Sequence, residues 1–99
     1  METKLTWDEN KRQGNITNHG LDFADAHLVL DSPYRLDIAA VRNGEARVLS
    51  FSYAFGKLAV LLIVHVDNNE VIRVISFRPA SKIETEIYHE WFEYDYRDS

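Results

Sequence analysis

Nine consecutive residues, Leu58 to Val66 (LAVLLIVHV), are apolar except for His65. The run is too short to cross a membrane and too uniform for a one-sided surface helix. It fits a central β-strand covered on both faces. A chain of 99 residues holds one domain around such a strand. Its 45% hydrophobic and 27% charged residues belong to a folded chain. The domain is read as residues 1–99, with an acidic, aromatic segment at 84–99.

Around that run the apolar period is two. Tyr34, Leu36, Ile38 and Ala40 alternate with Arg35, Asp37 and Ala39, and Asn43-Gly44 is a turn signal. Glu45 to Tyr53 forms the next strand, with Glu45, Arg47, Leu49, Phe51 and Tyr53 on one face. Gly56 and Lys57 lie in a turn, Asp67-Asn68-Asn69 in another, and Val71 to Arg78 is the last strand. Lys4 to Trp7 is a candidate short edge strand. Asp8 and Gly20 bracket a first helix as N-cap and left-handed C-terminal residue. Asp22 caps a second, with Phe23, Ala26, Leu28, Val29 and Leu30 inward, and Ser32-Pro33 stops it. Ser81-Lys82-Ile83-Glu84 has the form of a capping box, and Ile83, Ile87 and Trp91 recur as a helical apolar stripe. The fold class expected is α+β: two N-terminal helices, a four-stranded antiparallel meander and a C-terminal helix.

The net charge of −5 argues against nucleic acid until it is located. Residues 1–83 hold ten Lys/Arg and ten Asp/Glu; residues 84–99 hold six acids and one arginine. The acidity belongs to the C-terminal segment, and the body is free to carry a basic patch. There are no cysteines, which excludes disulfides and thiolate metal sites and fits a reducing cytosol. The N-terminus lacks an apolar secretory core. His19, His27, His65 and His89 have no ligand spacing, so no metal or other cofactor is expected. A Gly-rich phosphate loop, a serine elbow and a paired-carboxylate motif are all missing.

Arginine is the residue type that stands out. Arg73 lies on the face of Val71, Ile75 and Phe77. Arg78 lies on the other, with Ile72, Val74 and Ser76, unless a bulge at Phe77-Arg78-Pro79 re-aims it. Arg47 sits mid-strand beside Glu45. Two readings stand. They are surface cations paired with Glu45, Asp67 or Glu70, or they present bidentate donors to phosphate. Lys57, at a hairpin, reads as a surface cation. His19 precedes Gly20 at a helix C-terminus, where the dipole favours it. Trp7 and Trp91 read as core anchors, while Tyr53, Tyr88, Tyr94 and Tyr96 serve either stacking or burial.

Three groups of residues, in order, resemble a known family. Trp7-Asp8, Lys11, Asn15, His19-Gly20, Phe23 and Ala26 are similar to the opening of BrnT-type toxins. Gly44-Glu45-x-Arg47 is similar to its second motif. Ile72-Arg73-x-Ile75-Ser76-x-Arg78-x-Ala80, with Glu84 and Tyr88, is similar to its third. The likeness runs from residue 5 to 88. It implies a RelE/ParE-like fold and a type II toxin that cleaves RNA in the cytoplasm. It also implies a BrnA-type antitoxin, with DNA contacted only through that partner and no membrane role. Asn18 and Thr85 depart from the family by removing positive charge.

Metal-free RNA cleavage by the ribose 2′-hydroxyl needs a base, cations around the phosphorane and an acid. Arg47, Arg73 and Arg78 are the candidate phosphate-binding residues, with Lys57 as a further RNA contact. Glu45, His19 and Tyr88 are the candidate base and acid. A reading from another class is a non-catalytic module whose aromatic, acidic end holds a protein partner.

Overall fold

The computed structural model describes residues 3–54 and 59–96, with side chains through residue 94. Five strands form one sheet in the order β1-β5-β4-β3-β2: β1 Lys4–Thr6, β2 Leu36–Arg42, β3 Glu45–Tyr53, β4 Val60–Asn68 and β5 Val71–Pro79. β4 is the middle strand, and Val60, Leu61, Leu62 and Ile63 are all buried, as its unbroken apolar run requires. β2 to β5 are the expected antiparallel meander. The turn expected through Gly56 and Lys57 lies outside the described residues.

Two parts of the expected architecture are overturned. The sheet is five-stranded and mixed, not four-stranded and antiparallel, because β1 pairs with β5 in parallel, Lys4 opposite Val71 and Thr6 opposite Arg73. A three-residue strand gains its identity from the edge it meets, and that edge is more than sixty residues away. The second N-terminal helix is also absent. After α1 (Glu9–His19) the chain makes a 3₁₀ turn at Phe23–Asp25 and one helical turn at His27–Leu30. Phe23, Ala26 and Val29 are fully buried at a strict spacing of three. That spacing aligns side chains on a 3₁₀ path and drifts off the face of a 3.6-residue helix. Asp22 still caps this segment, accepting from the Ala24 amide.

α1 is bounded as expected. Asp8 accepts from the Lys11 amide, and Gly20, at φ 69°, donates to the Ile16 carbonyl. The helix is fastened by Asn15. Its amide donates to the carbonyls of Leu21 at 2.8 Å and Phe77 at 2.7 Å, and its oxygen accepts from the Phe77 amide at 3.2 Å. β1 covers β5 only through Arg73, so Phe77's outward polar groups lie on an open edge. Asn15 takes the place of the missing strand there.

Each face of the sheet has its own core. Leu21, Phe23, Ala26 and Val29 pack on Leu61, Ile63, Val74 and Phe77. On the other face the C-terminal helix (Lys82–Trp91) sets Tyr88, Trp91 and Phe92 against Phe51, Val60 and Leu62. The capping box forms as expected, with Ser81 accepting from the Glu84 amide and Glu84 from the Ser81 amide. No helix among the described residues is long and apolar enough to cross a membrane.

Candidate functional site

The side chains that matter for chemistry are placed by one irregularity in β5. Val64 pairs with Ser76, but His65 pairs with Val74, so Ile75 is an extra residue. An added residue reverses the in–out alternation beyond it. Arg78 is opposite Leu62 and Arg73 is opposite Val66, and Leu62, Val64 and Val66 share a face of β4. Arg73 and Arg78 therefore point to the same side, contrary to the plain alternation of the sequence. A bulge was expected only at Phe77–Pro79; it lies nearer the middle of the strand.

The same register brings β3 to that side. Leu49 opposes Val64 and Phe51 opposes Leu62, so Glu45 and Arg47, on the same alternation, join the face. The C-terminal helix covers the Phe51–Leu62 end. At the other end Ile38, Leu49, Val64 and Val66 remain only partly buried, a floor of aliphatic groups bordered by charge.

Two polar clusters stand on this face, one at each end. In the first, Glu45 receives Arg47 Nε at 3.3 Å on one oxygen and Arg73 Nη2 at 2.7 Å on the other. Arg42 belongs here too, since it is the cross-strand partner of Glu45. Sequence reasoning passed over Arg42, although the signal was present. Asn43 and Gly44 both have positive φ, 51° and 77°, forming a two-residue loop that sets its flanking residues opposite each other. Two guanidinium groups thus bond one carboxylate, and Arg42 stands at the strand position opposite it, leaving net positive charge.

In the second cluster Arg78 forks onto Glu84, Nη1 to Oε1 at 2.8 Å and Nη2 to Oε2 at 3.0 Å. Four strand positions, about 13 Å at 3.3 Å per residue, separate Arg78 from Arg73 along the sheet. The Arg78 guanidinium, burial opposing it, holds the Glu84 carboxyl down to about 2 from an ordinary 4.5. A depressed carboxyl adds stability in full above its unfolded value and loses it as pH falls through the folded one. The contribution is about 1–2 kcal/mol once solvent screening is allowed for. Glu84→Gln is therefore expected to narrow the difference in unfolding free energy, measured with urea, between pH 5 and pH 2.5 by that amount. An unchanged difference would mean that the fork contributes nothing.

The other candidates lie elsewhere. Tyr88 is fully buried, donates its hydroxyl to the Tyr34 carbonyl at 2.8 Å, and has its pKa raised by burial. His19 is exposed at the end of α1, and no described bond joins it to an arginine of the face. Lys57 lies outside the described residues. On the opposite face, Ser50 sits 2.8 Å from His65 Nε2, and His65 Nδ1 sits 2.5 Å from Asp67. The order is that of a hydrolytic triad, but Ser50 donates to Asp37 at 2.6 Å, and both Ser50 and His65 are fully buried. A nucleophile with no access to substrate is a structural crosslink.

A mixed sheet between two helical layers, with Arg47, Arg73 and Arg78 on one face, defines a small α+β protein. A family model described as "Ribonuclease toxin, BrnT, of type II toxin-antitoxin system" matches residues 7–84. The chain belongs to that family of ribonuclease toxins, and membership implies an antitoxin protein as its partner. No curated protein matches the chain.

Proposed function

We propose that the chain is an endoribonuclease that needs no metal ion and acts in the cytoplasm on RNA laid across the Arg47–Arg73 face. In this reading the two guanidinium groups bind the scissile phosphate and stabilise the charge that develops on it. The phosphate competes with Glu45 for both arginines, which turns a carboxylate oxygen toward the ribose. The 2′-hydroxyl attacks phosphorus, Glu45 takes its proton, the bond to the 5′-oxygen breaks, and that oxygen takes a proton from water. Arg78 holds a neighbouring phosphate. A BrnA-type antitoxin neutralises the enzyme and carries any contact with DNA.

The observation that carries this reading is Glu45 bridging Arg47 and Arg73, a proton acceptor beside two phosphate-binding groups on an accessible surface. The reaction leaves 2′,3′-cyclic phosphate and 5′-hydroxyl ends. Purified chain incubated with single-stranded RNA in EDTA is expected to yield those ends. Products with 5′-phosphate, or loss of cleavage in EDTA, overturn the mechanism.

One observation favours the alternative of a non-catalytic module: Arg47, Arg73 and Arg78 are each already paired to a carboxylate of the chain itself. That module binds its partner and leaves the RNA intact in the same assay.

A further inference from the structure

Of the apolar stripe legible in the C-terminal helix, Trp91 packs toward the sheet but Ile83 and Ile87 do not. Tyr88 faces inward and is fully buried, whereas Ile83 and Ile87 are 70% and 44% exposed. Tyr94, 70% exposed, continues their row beyond the helix end. Ile83, Ile87, Glu90 and Tyr94 follow a four-three-four spacing, the seam by which one helix receives another. Ile87, Glu90, Trp91 and Tyr94 line a shallow cleft along it. Glu86 and Glu90 are exposed beside the isoleucines.

We propose that this strip is the docking surface for a basic amphipathic helix of the antitoxin. The inference rests on the family reading for the partner's existence and is independent of how RNA is cut. Charge selects the occupant. The segment 84–99 carries the whole net charge of −5, so a helix lying along it gains by presenting Lys or Arg beside its apolar face. A second copy of this chain is a poor fit, because a self-complementary pairing would set Glu86 and Glu90 against their own counterparts. RNA is repelled by the same carboxylates. The strip and the arginine cluster are also separate surfaces, since Ile83 and Ile87 lie on the solvent side of a helix whose other side covers the sheet.

The test uses the full chain and two fluorescein-labelled 18-residue helical peptides with identical leucine faces, one with lysine and one with glutamate on its polar side. Fluorescence anisotropy is expected to show binding of the lysine peptide and none of the glutamate peptide at the same concentration. The combined Ile83→Ser, Ile87→Ser, Tyr94→Ser substitution is expected to weaken that binding at least 30-fold. Glu86→Lys with Glu90→Lys is expected to reverse the preference. In cells the triple variant is expected to arrest growth despite co-expressed antitoxin. RNA cleavage by these variants stays at the wild-type rate, so a failed docking result and a failed nuclease result are told apart. Binding that the triple substitution leaves unchanged overturns the proposal. So does sedimentation of the wild-type chain as a dimer that the same substitution dissociates.

Discussion

A chain carrying Arg47→Ala together with Arg73→Ala is expected to lose RNA cleavage and growth arrest while keeping its fold. Removing one preorganised donor to a developing oxyanion typically costs about 2.7–4 kcal/mol, or 10²–10³ in rate. Either single substitution is expected to slow cleavage by about that factor. The double variant should fall below detection in a growth assay. Folding should survive because the pairs are partly solvated: the Arg73 side chain is 46% exposed and that of Glu45 41%. Such pairs contribute about 0–1 kcal/mol each, so thermal unfolding of the double variant should fall by no more than about 8–16 °C. Arg73→Lys keeps the charge without the planar fork and should fall between alanine and wild type. A double variant that unfolds at the wild-type temperature and still cleaves RNA at the wild-type rate would place the active centre elsewhere. Arg78→Ala separates less cleanly, because Arg78 also holds Glu84 within the capping box of the C-terminal helix.

The largest effect on stability is expected at Asn15, which never touches the arginine face. Asn15 is 7% exposed, and its amide serves three backbone groups, two of them on Phe77. Asn15→Ala leaves those groups buried without partners, at about 1–3 kcal/mol for each buried group left unpaired. Allowing for water entering at the strand edge, the sum is about 3–5 kcal/mol. Domains of this size are stable by about 5–15 kcal/mol, so the variant should unfold at least about 12 °C lower, at about 4–8 °C per kcal/mol. Asn15→Asp keeps the acceptor for the Phe77 amide but sets a buried carboxylate oxygen against the Leu21 and Phe77 carbonyls, so at neutral pH it should be no more stable than Asn15→Ala. Hydrogen exchange gives a second readout: the Phe77 amide should lose protection in Asn15→Ala even at temperatures where the variant is folded. Equal melting of Asn15→Ala and wild type would mean that the edge of β5 is satisfied by solvent alone.

How much of this was legible in the residues depends on how far each signal reaches along the chain. Asp8, Gly20, Ser81 and Glu84 act within four residues of where they stand, and each performs the capping role its position implied. Asn43-Gly44 turns the chain as its dipeptide requires. Asn15 read only as a family position, because nothing near it in the chain announces that it will meet Phe77 sixty-two residues on. The site was legible in part: arginine was the right residue type to weigh, and Arg47 and Arg73 do meet at Glu45. Arg73 and Arg78, however, seemed to face opposite ways, because alternation was counted without the extra residue at Ile75.

By itself, then, the sequence determined the four meander strands, the turn at Asn43-Gly44 and the caps of both helices. Hydrophobic period and turn chemistry are complete within a few residues, and the central apolar run admits only a strand covered on both sides. The tertiary structure alone decided that β1 joins β5 in parallel, that the arginines share a face, and that Tyr88 turns inward while Ile83 and Ile87 face solvent. Those outcomes depend on register between distant segments. A shift of one residue moves every later side chain to the other side of the sheet, and no local pattern records it.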